Sequence, residues 1–409
     1  MCAGRLTKVV VIEQLEKLLE PDSVEAFLAS TWGQTYRHIR GWQGKFAHLL
    51  PWNQLNEILR QHRLDFPRLR LVFDGKSLPA SSYLRYTTSG QRKVTIPRLQ
   101  SVKLTEQLRR GATLVLDAVD EFSQPLEDLA AGLELCFREH VQINTYAGWH
   151  TSHGFDLHWD DHDVFILQVT GRKRWSVYGM TRAYPFVGDS EPSPKPDREN
   201  PIWEATLEDG DLLYIPRGWW HVAQPLNEPT LHLTVGIHNR TGLDLLRWLT
   251  ERISTSEIFR QDLPRFRSDQ EREAHTNRLR EELLSAWSED LLQRYFDEMD
   301  QKAEARASVS LPWAAMAGVL PSTPETLVRL VAPRPLDFKI ADQVVEFSCL
   351  KKRWRFAAPA LSILRLLDEQ RVCAVHELLK ASEEKLDEQT VQAFLSELLL
   401  NGLIMVVKD

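Results

Sequence analysis

Short strands separated by glycine turns are the feature of this 409-residue sequence that most restricts its fold. Apolar stretches with an alternating pattern run from residue 112 to residue 237, and a loop rich in proline interrupts them at 191–201. The predicted strands are 112–118, 141–146, 163–169, 173–178, 211–216 and 230–237, and the turn glycines are Gly154, Gly171, Gly210 and Gly218. Many short strands with turns between them are typical of a β-sandwich or a β-barrel.

Helical patterns precede and follow these strands. Residues 125–137 carry apolar side chains at helical spacing, and the stretch TGLDLLRWLTERI, from residue 241, places Leu245, Trp248 and Leu249 on one stripe. The charged stretch 267–306 has isolated apolar pairs, and a helix of this kind needs a partner, which a second subunit could supply. The last 60 residues predict three helices and a strand, an order that resembles a winged-helix domain.

We therefore expect an α+β protein, because 409 residues exceed one typical core. Residues 1–240 form a β-barrel domain, whose opening segment 1–105 mixes short helices with extended stretches. Residues 241–310 form a helical region that dimerises the protein, and residues 311–409 form the winged-helix-like domain.

Charge and cysteine content argue against several classes of function. The net charge of −7 disfavours general nucleic-acid binding, and residues 351–409 hold equal numbers of acidic and basic side chains. We expect the winged-helix-like domain to be a packing or protein-contact module and not to bind DNA. Cys2, Cys136, Cys349 and Cys373 form no CxxC pair. With no signal peptide and no run of about eighteen apolar residues, the sequence predicts a cytoplasmic protein without a membrane span.

The motif HWDDHD at 158–163 suggests a metal site. Residues two apart share a face of a strand, so His158 and Asp160 could bind one ion, and His162 is a rival ligand on the same face. His221, after the turn at Pro216–Gly218, is the best candidate for a third ligand. Two histidines and one carboxylate form the facial triad of non-haem Fe(II) oxygenases, although zinc hydrolases use the same ligand types.

Lys173 favours the oxygenase interpretation. It shares the more apolar face of its strand with Trp175 and Val177, and a buried lysine is costly without a partner. The distal carboxylate of 2-oxoglutarate would be such a partner. Two other strands have polar faces that suit a barrel holding a ligand. These faces consist of Gln142, Asn144 and Tyr146 in one strand and His232, Thr234 and Gly236 in the other.

The run INTYAGWHTSHGFDLHWDDHDVFILQVTGRKRW, followed by DGDLLYIPRGWWH, resembles the JmjC-type oxygenases, and more narrowly the ribosomal oxygenases, which hydroxylate ribosomal proteins. The resemblance implies a double-stranded β-helix (cupin) barrel, a dimerisation region and a winged-helix domain. It implies Fe(II) held by His158, Asp160 and His221, and 2-oxoglutarate held by Lys173. Asn144 and Tyr146 fall at polar positions of the cosubstrate pocket, which we expect Thr234 to join.

The sequence departs from the family pattern at two places. The loop AGWHTSHGF (147–155) replaces a loop that would contain proline, which leaves the substrate open. Gly236 stands where the family has a small hydroxyl residue. The other histidines near the motif, namely His150, His153, His162, His232 and His238, are interpreted as structural or as facing substrate.

Simpler and rival interpretations stay open at this point. His158 and Asp160 could be a solvated strand entry, His221 a core histidine packed by tryptophans, and Lys173 a side chain that reaches water along Trp175. The same chemistry could act on a biosynthetic peptide, a small molecule or a methylated lysine. A zinc-dependent hydrolase and a non-catalytic binding module are the remaining alternatives.

Overall fold

The computed structural model describes residues 13–90, 94–152, 154–186, 189, 195–316, 320, 323, 325–382 and 386–408. His153, residues 1–12 with Cys2, and the 191–194 part of the proline-rich loop lie outside the described residues. The chain divides into two compact units, one ending at Asn239 and one beginning at Arg240. In the described part of the chain, no helix is both long enough and apolar enough to cross a membrane.

The first unit is built from short strands and a few helices. Its helices are α1 (13–19), α2 (Val24–Ser30), α3 (Trp52–Gln61), α4 (Ser101–Arg109) and α5 (Gln124–Phe137). Its strands are β1 (Arg37–Ile39), β2 (Leu69–Phe73), β3 (Lys76–Ser77), β4 (Leu84–Ser89), β5 (Val94–Leu99), β6 (Thr113–Leu116), β7 (His140–Gly148), β8 (Asp163–Thr170), β9 (Lys173–Val177), β10 (Trp203–Leu207), β11 (Leu212–Ile215), β12 (His221–Pro225) and β13 (Thr230–His238).

Most of these strands form one eight-stranded sheet in the order β1-β11-β8-β13-β7-β6-β2-β3. Alternation along β13 separates its two faces, because successive side chains of a strand point to opposite sides. Leu231, Leu233, Val235 and Ile237 lie in the main apolar core with helical residues such as Leu126 and Phe27. The opposite face of β13 carries His232, Thr234, Gly236 and His238, so one face of this sheet is packed and the other is polar.

A second sheet, in the order β10-β9-β12, covers part of the polar face. Its Trp175 and Val177 pack against Val164 and Ile166 of β8 in a smaller apolar cluster. Phe165 and Leu167, which alternate with these two residues along β8, belong instead to the main core. The central strand β8 is therefore buried on both faces, and the polar side chains of β7 and β13 face a space between the two sheets.

The second unit contains a helical part and a mixed part. Its elements are α6 (Gly242–Ile253), α7 (Glu257–Arg260), α8 (Asp269–Ala286), α9 (Leu291–Lys302), β14 (Leu327–Leu330), β15 (Lys339–Ala341), β16 (Val344–Cys349), β17 (Lys352–Ala357), α10 (Leu361–Gln370), β18 (Val372–Ala374), α11 (Val375–Ser382), α12 (Glu388–Leu400) and β19 (Ile404–Lys408). Trp248 and Leu249 of α6 pack with Leu291 and Tyr295 of α9, as the predicted apolar stripe requires.

The helix α8 begins with a capping box in which Ser268 and Glu271 satisfy each other's backbone N–H groups. Local capping, rather than a buried face, therefore defines this helix, since none of its 18 residues is buried within the chain. The mixed part has its own apolar core around Ile363, Leu395 and Val328.

The structure contains strands at all six predicted positions and helices at 124–137, 242–253 and in the last 60 residues. The opening segment 1–105, for which only short helices and extended stretches were predicted, contains β1 to β5, and beyond it the two strands β10 and β12 were not predicted. Their burial patterns do not alternate cleanly, and β12 follows directly on the Trp219–Trp220 pair. The predicted boundary at residue 310 stays a prediction.

Candidate metal and cosubstrate site

His158, Asp160 and His221 come together at one edge of the second sheet. The backbones of His158 and His221 exchange two hydrogen bonds, of 3.1 and 2.8 Å, which bring their rings to a centroid distance of 4.4 Å. Asp160 Oδ2 lies 3.5 Å from His221 Nε2. One potential ligand atom from each of the three residues lies within 4.8 Å of the others. These positions form a compact set of three donors from two distant parts of the chain.

Backbone carbonyl groups orient both imidazole rings. His158 Nδ1 lies 2.7 Å from the carbonyl oxygen of Asp156, and His221 Nδ1 lies 3.0 Å from that of Trp219. A carbonyl oxygen only accepts, so each Nδ1 carries the proton. Each Nε2 is therefore left with a free lone pair, the state in which histidine binds a metal.

The charge states of the three residues also suit a cation. Burial, with His158 alongside, lowers the pKa of His221 to about 4. Burial opposes ionisation of Asp160, but His221 and His158 outweigh it and the pKa of Asp160 falls below its usual range. At neutral pH the site thus contains a carboxylate beside a neutral imidazole. Two Nε2 atoms and a carboxylate on one side of a cavity fit Fe(II), as they would fit zinc.

A cavity of about 230 Å³ lies between the two sheets and is lined by all three residues. Lys173, at the start of β9, forms part of its wall and is 5% exposed. The buried position of Lys173 rules out the interpretation in which its ammonium reaches water along Trp175. Among the described residues no carboxylate pairs with Lys173, and burial lowers its pKa to about 7. The Lys173 side chain is therefore buried in this cavity without an anionic partner from the described chain.

Tyr146 and Thr234 line the same cavity, whereas Asn144 lies beside it. The Asn144 side-chain oxygen accepts hydrogen bonds from the Ala118 backbone N–H at 2.9 Å and from Gln142 Nε2 at 3.0 Å. Tyr146 stacks on His232 with ring centroids 4.9 Å apart and an interplanar angle of 5°. The polar face predicted for β7 is thus divided between the cavity and the turn that contains Ala118.

Sequence reasoning missed Arg70 as a residue of the cavity wall. Arg70 of β2 pairs with Val115 of β6, and Val115 pairs with Tyr146 of β7. Because paired residues point to the same side of a sheet, Arg70 and Tyr146 share a face. An ion pair with Asp117 at 2.8 Å holds the guanidinium, while the buried Nε has no hydrogen-bond partner in the described structure. The alternation in RLRLV shows that Arg70 lies on a polar face, but not which strand lies beside it.

His162 does not join the triad. Residues 159–162 are not in a strand, so the alternation that made His162 a rival ligand does not hold there. His162 instead stacks on His238 at a centroid distance of 4.4 Å, and these two residues form a second group with Asp161. His150 is exposed, and His232 is buried beside Lys173, with its Nδ1 3.5 Å from the ammonium nitrogen.

Comparison with known proteins identifies the domain that carries this site. Residues 121–245, which include the triad and Lys173, match the model of the JmjC domain. This part of the chain is therefore a JmjC domain, with the JmjC/cupin type of fold. The chain is also similar in sequence to proteins named ribosomal oxygenase 1 and NO66.

Curated relatives match between 55% and 61% of the chain. "Ribosomal oxygenase 1" of Gallus gallus is 30% identical over 232 residues, which cover 55% of this chain and 36% of the relative. "Bifunctional lysine-specific demethylase and histidyl-hydroxylase NO66" of Dictyostelium discoideum is 28% identical over 279 residues, which cover 61% of this chain and 49% of the relative. The protein of that name from Drosophila pseudoobscura pseudoobscura is 27% identical, and the match covers 23% of its length. The chain thus spans less than half the length of these relatives.

Solved structures match almost the whole chain. YcfD, a ribosomal oxygenase from Escherichia coli, superposes with a TM-score of 0.54 at 19% identity, covering 95% of this chain and 98% of YcfD. The structure of YcfD in complex with cobalt and 2-oxoglutarate gives a TM-score of 0.52. At this identity the match shows the fold alone.

Proposed function

We propose that this protein is an Fe(II)- and 2-oxoglutarate-dependent oxygenase that hydroxylates a side chain of a protein, with a ribosomal protein as the first candidate. One observation carries the proposal: the donor set of His158, Asp160 and His221 shares a cavity with a buried lysine that has no anionic partner among the described residues. A zinc hydrolase needs the donor set but has no use for the lysine.

Each group has a role in this proposal. His158, Asp160 and His221 hold the iron, and the Lys173 ammonium pairs with the distal carboxylate of 2-oxoglutarate. Tyr146 and Thr234 complete the cosubstrate pocket, and Asn144 supports it through the Ala118 turn. Bound iron and cosubstrate supply the chemistry that adds oxygen to a C–H bond.

The surrounding apolar side chains protect that chemistry. Val164, Ile166 and Trp175 line the cavity and exclude water from it. Phe155 lies between Tyr146 and His158, at ring distances of 5.8 and 5.9 Å, in the loop that departs from the family pattern. We assign this loop and Arg70 to substrate contact.

The names of the relatives support a protein substrate, since they include both a histidyl-hydroxylase and a lysine-specific demethylase. Purified protein is incubated with Fe(II), ascorbate, 2-oxoglutarate and ribosomal proteins, and succinate and intact product masses are measured. We expect succinate and a gain of one oxygen atom. Loss of a methyl group from the product would favour demethylation instead. Turnover of the substrate that does not require oxygen would favour a zinc hydrolase.

Two variants control this experiment. Asp160→Ala removes a proposed ligand and should abolish both succinate and product. Asp262→Ala removes an exposed carboxylate of the second unit and should leave both unchanged. Equal activity of the wild type and both variants would contradict the proposed centre. If the wild type turns over 2-oxoglutarate but modifies no ribosomal protein, the substrate is to be sought among peptides and small molecules.

The second unit supports two further parts of the proposal. We assign homodimerisation to the helical region, because α8 has no residue buried within the chain while Leu284 and Trp287 are 63% and 51% exposed. The residues from α10 to β19 act as a winged-helix-like module that contacts protein and not DNA. A shift of labelled duplex DNA at moderate salt would contradict the latter assignment.

We also propose a cytoplasmic location. The described cysteines Cys136, Cys349 and Cys373 are free thiols, as expected in a reducing compartment. Fractionation of cells that express a tagged copy tests this location.

A further inference from the structure

Three histidines lie side by side at the ends of three adjacent strands, outside the proposed iron site. The register pairs His140 of β7 with His238 of β13, and it pairs Asp163 of β8 with Ile237 of β13. His162, one residue before β8, therefore lies across from His238. The His162 and His238 rings stack at 4.4 Å, and the His238 and His140 rings at 5.9 Å.

A carboxylate lies beside two of these imidazoles. Asp161 Oδ1 lies 2.9 Å from His162 Nδ1, and one ligand atom each from Asp161, His162 and His238 lies within 4.8 Å of the others. Two imidazoles and one carboxylate are the donor types that zinc and related divalent ions prefer. This donor set shares no residue with His158, Asp160 and His221.

Gly236 provides the space that this arrangement needs. A Cβ atom at residue 236 would lie 2.8 Å from Cδ2 and 2.9 Å from Nε2 of the His162 ring. Any other residue would push the imidazole away from β13. The glycine at a position where the family has a hydroxyl residue thus has a local explanation, because His162 lies over it.

Neighbouring residues fix the backbone on both sides of the cluster. Asp163 accepts hydrogen bonds from the Tyr214 hydroxyl at 3.1 Å, from the Arg217 backbone N–H at 2.9 Å and from the side-chain amide of Asn239. Asp163 follows His162 and Asn239 follows His238, so this network ties together the two chain segments that contribute the donors. The cluster is therefore held in place before any ligand binds.

We propose that Asp161, His162 and His238 bind a second divalent metal ion of the zinc class, in addition to the ion of the proposed iron site. The ion joins the segment that carries Asp160 to the end of β13. It needs no bound cosubstrate, and the assignment is independent of the proposed oxygenase activity.

Metal stoichiometry tests this site. The apoprotein is equilibrated with Zn²⁺ by dialysis, and bound zinc per chain is measured by mass spectrometry. We expect two ions in the wild type, one in His238→Ala, one in Asp160→Ala and none in the double variant. His48→Ala, which removes an exposed histidine elsewhere in the same unit, should retain two.

A variant that keeps every histidine tests whether the position of the His162 ring is needed to bind the ion. Gly236→Ala keeps every donor but displaces the His162 ring, so it should lose the second ion, with circular dichroism reporting that the protein is folded. Saturation of the wild type at one ion that Asp160→Ala removes, or retention of two ions by His238→Ala, would overturn the proposal. Retention of two ions by Asp160→Ala alone would instead count against the proposed iron site.

Discussion

The ammonium nitrogen of Lys173 lies 3.5 Å from Nδ1 of His232, inside the cavity that also contains the His158, Asp160 and His221 donors. Burial, together with the adjacent lysine, lowers the pKa of His232 well below its usual value, so this imidazole is neutral at physiological pH. Its stacking on Tyr146 then fixes the ring beside Lys173. The lysine is therefore held in place by neutral groups, and its charge remains available to a ligand.

The pH dependence of 2-oxoglutarate binding follows from the Lys173 pKa of about 7. A bound carboxylate favours the ammonium form, so above pH 7 binding must take up a proton, and affinity should fall as pH rises. Calorimetry in buffers of different ionisation enthalpy should show uptake close to one proton at about pH 8 and little at about pH 6. Lys173→Met should bind weakly at both values, and Lys103→Met, an exposed lysine, should behave as wild type. Affinity independent of pH would contradict this role.

Removal of a proposed ligand should remove the metal of the iron site. Asp160→Ala leaves His158 and His221 oriented by backbone carbonyls, but without the only carboxylate of the set. We expect loss of the visible absorption bands of Co²⁺ bound at this site, with little change in unfolding temperature. Asp262→Ala is the matched control, and a spectrum preserved in Asp160→Ala would show that the carboxylate is not a ligand.

Arg70 should affect substrate more than cosubstrate. Its guanidinium is held by Asp117 and lines the cavity 5.9 Å from the Phe155 ring, on the opposite side of Tyr146 from His232. Arg70→Met should raise KM for the protein substrate about tenfold, equivalent to about 1.4 kcal/mol. The Kd for 2-oxoglutarate should change little. An equal loss of cosubstrate affinity would place Arg70 in the cosubstrate pocket instead.

The exposed apolar side chains of the helical region should be covered by a second copy of the chain. Leu284 and Trp287 lie one turn apart at the end of α8. The double variant Leu284→Glu/Trp287→Glu should be monomeric by light scattering where the wild type is dimeric, because burial of a charge without a partner is costly. Gln389→Glu, an exposed substitution in α12, should not change the mass. A monomeric wild type would refute the dimer.

Alternation and spacing in the sequence were enough to find the faces of β7, β13 and β9. They predicted correctly that His232, Thr234 and Tyr146 lie opposite the apolar core, and that Lys173 shares the inner face with Trp175. These predictions succeed because the direction of a side chain along a strand depends only on the strand itself. The metal-ligand roles of His158, Asp160 and His221 are proposals, but their proximity is a property of the fold.

Other features depended on which strands become neighbours. Arg70 lines the cavity because β2 pairs with β6, which in turn pairs with β7. His162 is not part of the triad because the chain is irregular before β8, and its ring lies over Gly236. Asn144 is drawn to the Ala118 turn by a hydrogen bond with a residue 26 positions away. The sequence by itself determined the local direction of each side chain. Only the tertiary structure decided which distant residues share a cavity, since long-range pairing depends on the packing of the whole sheet.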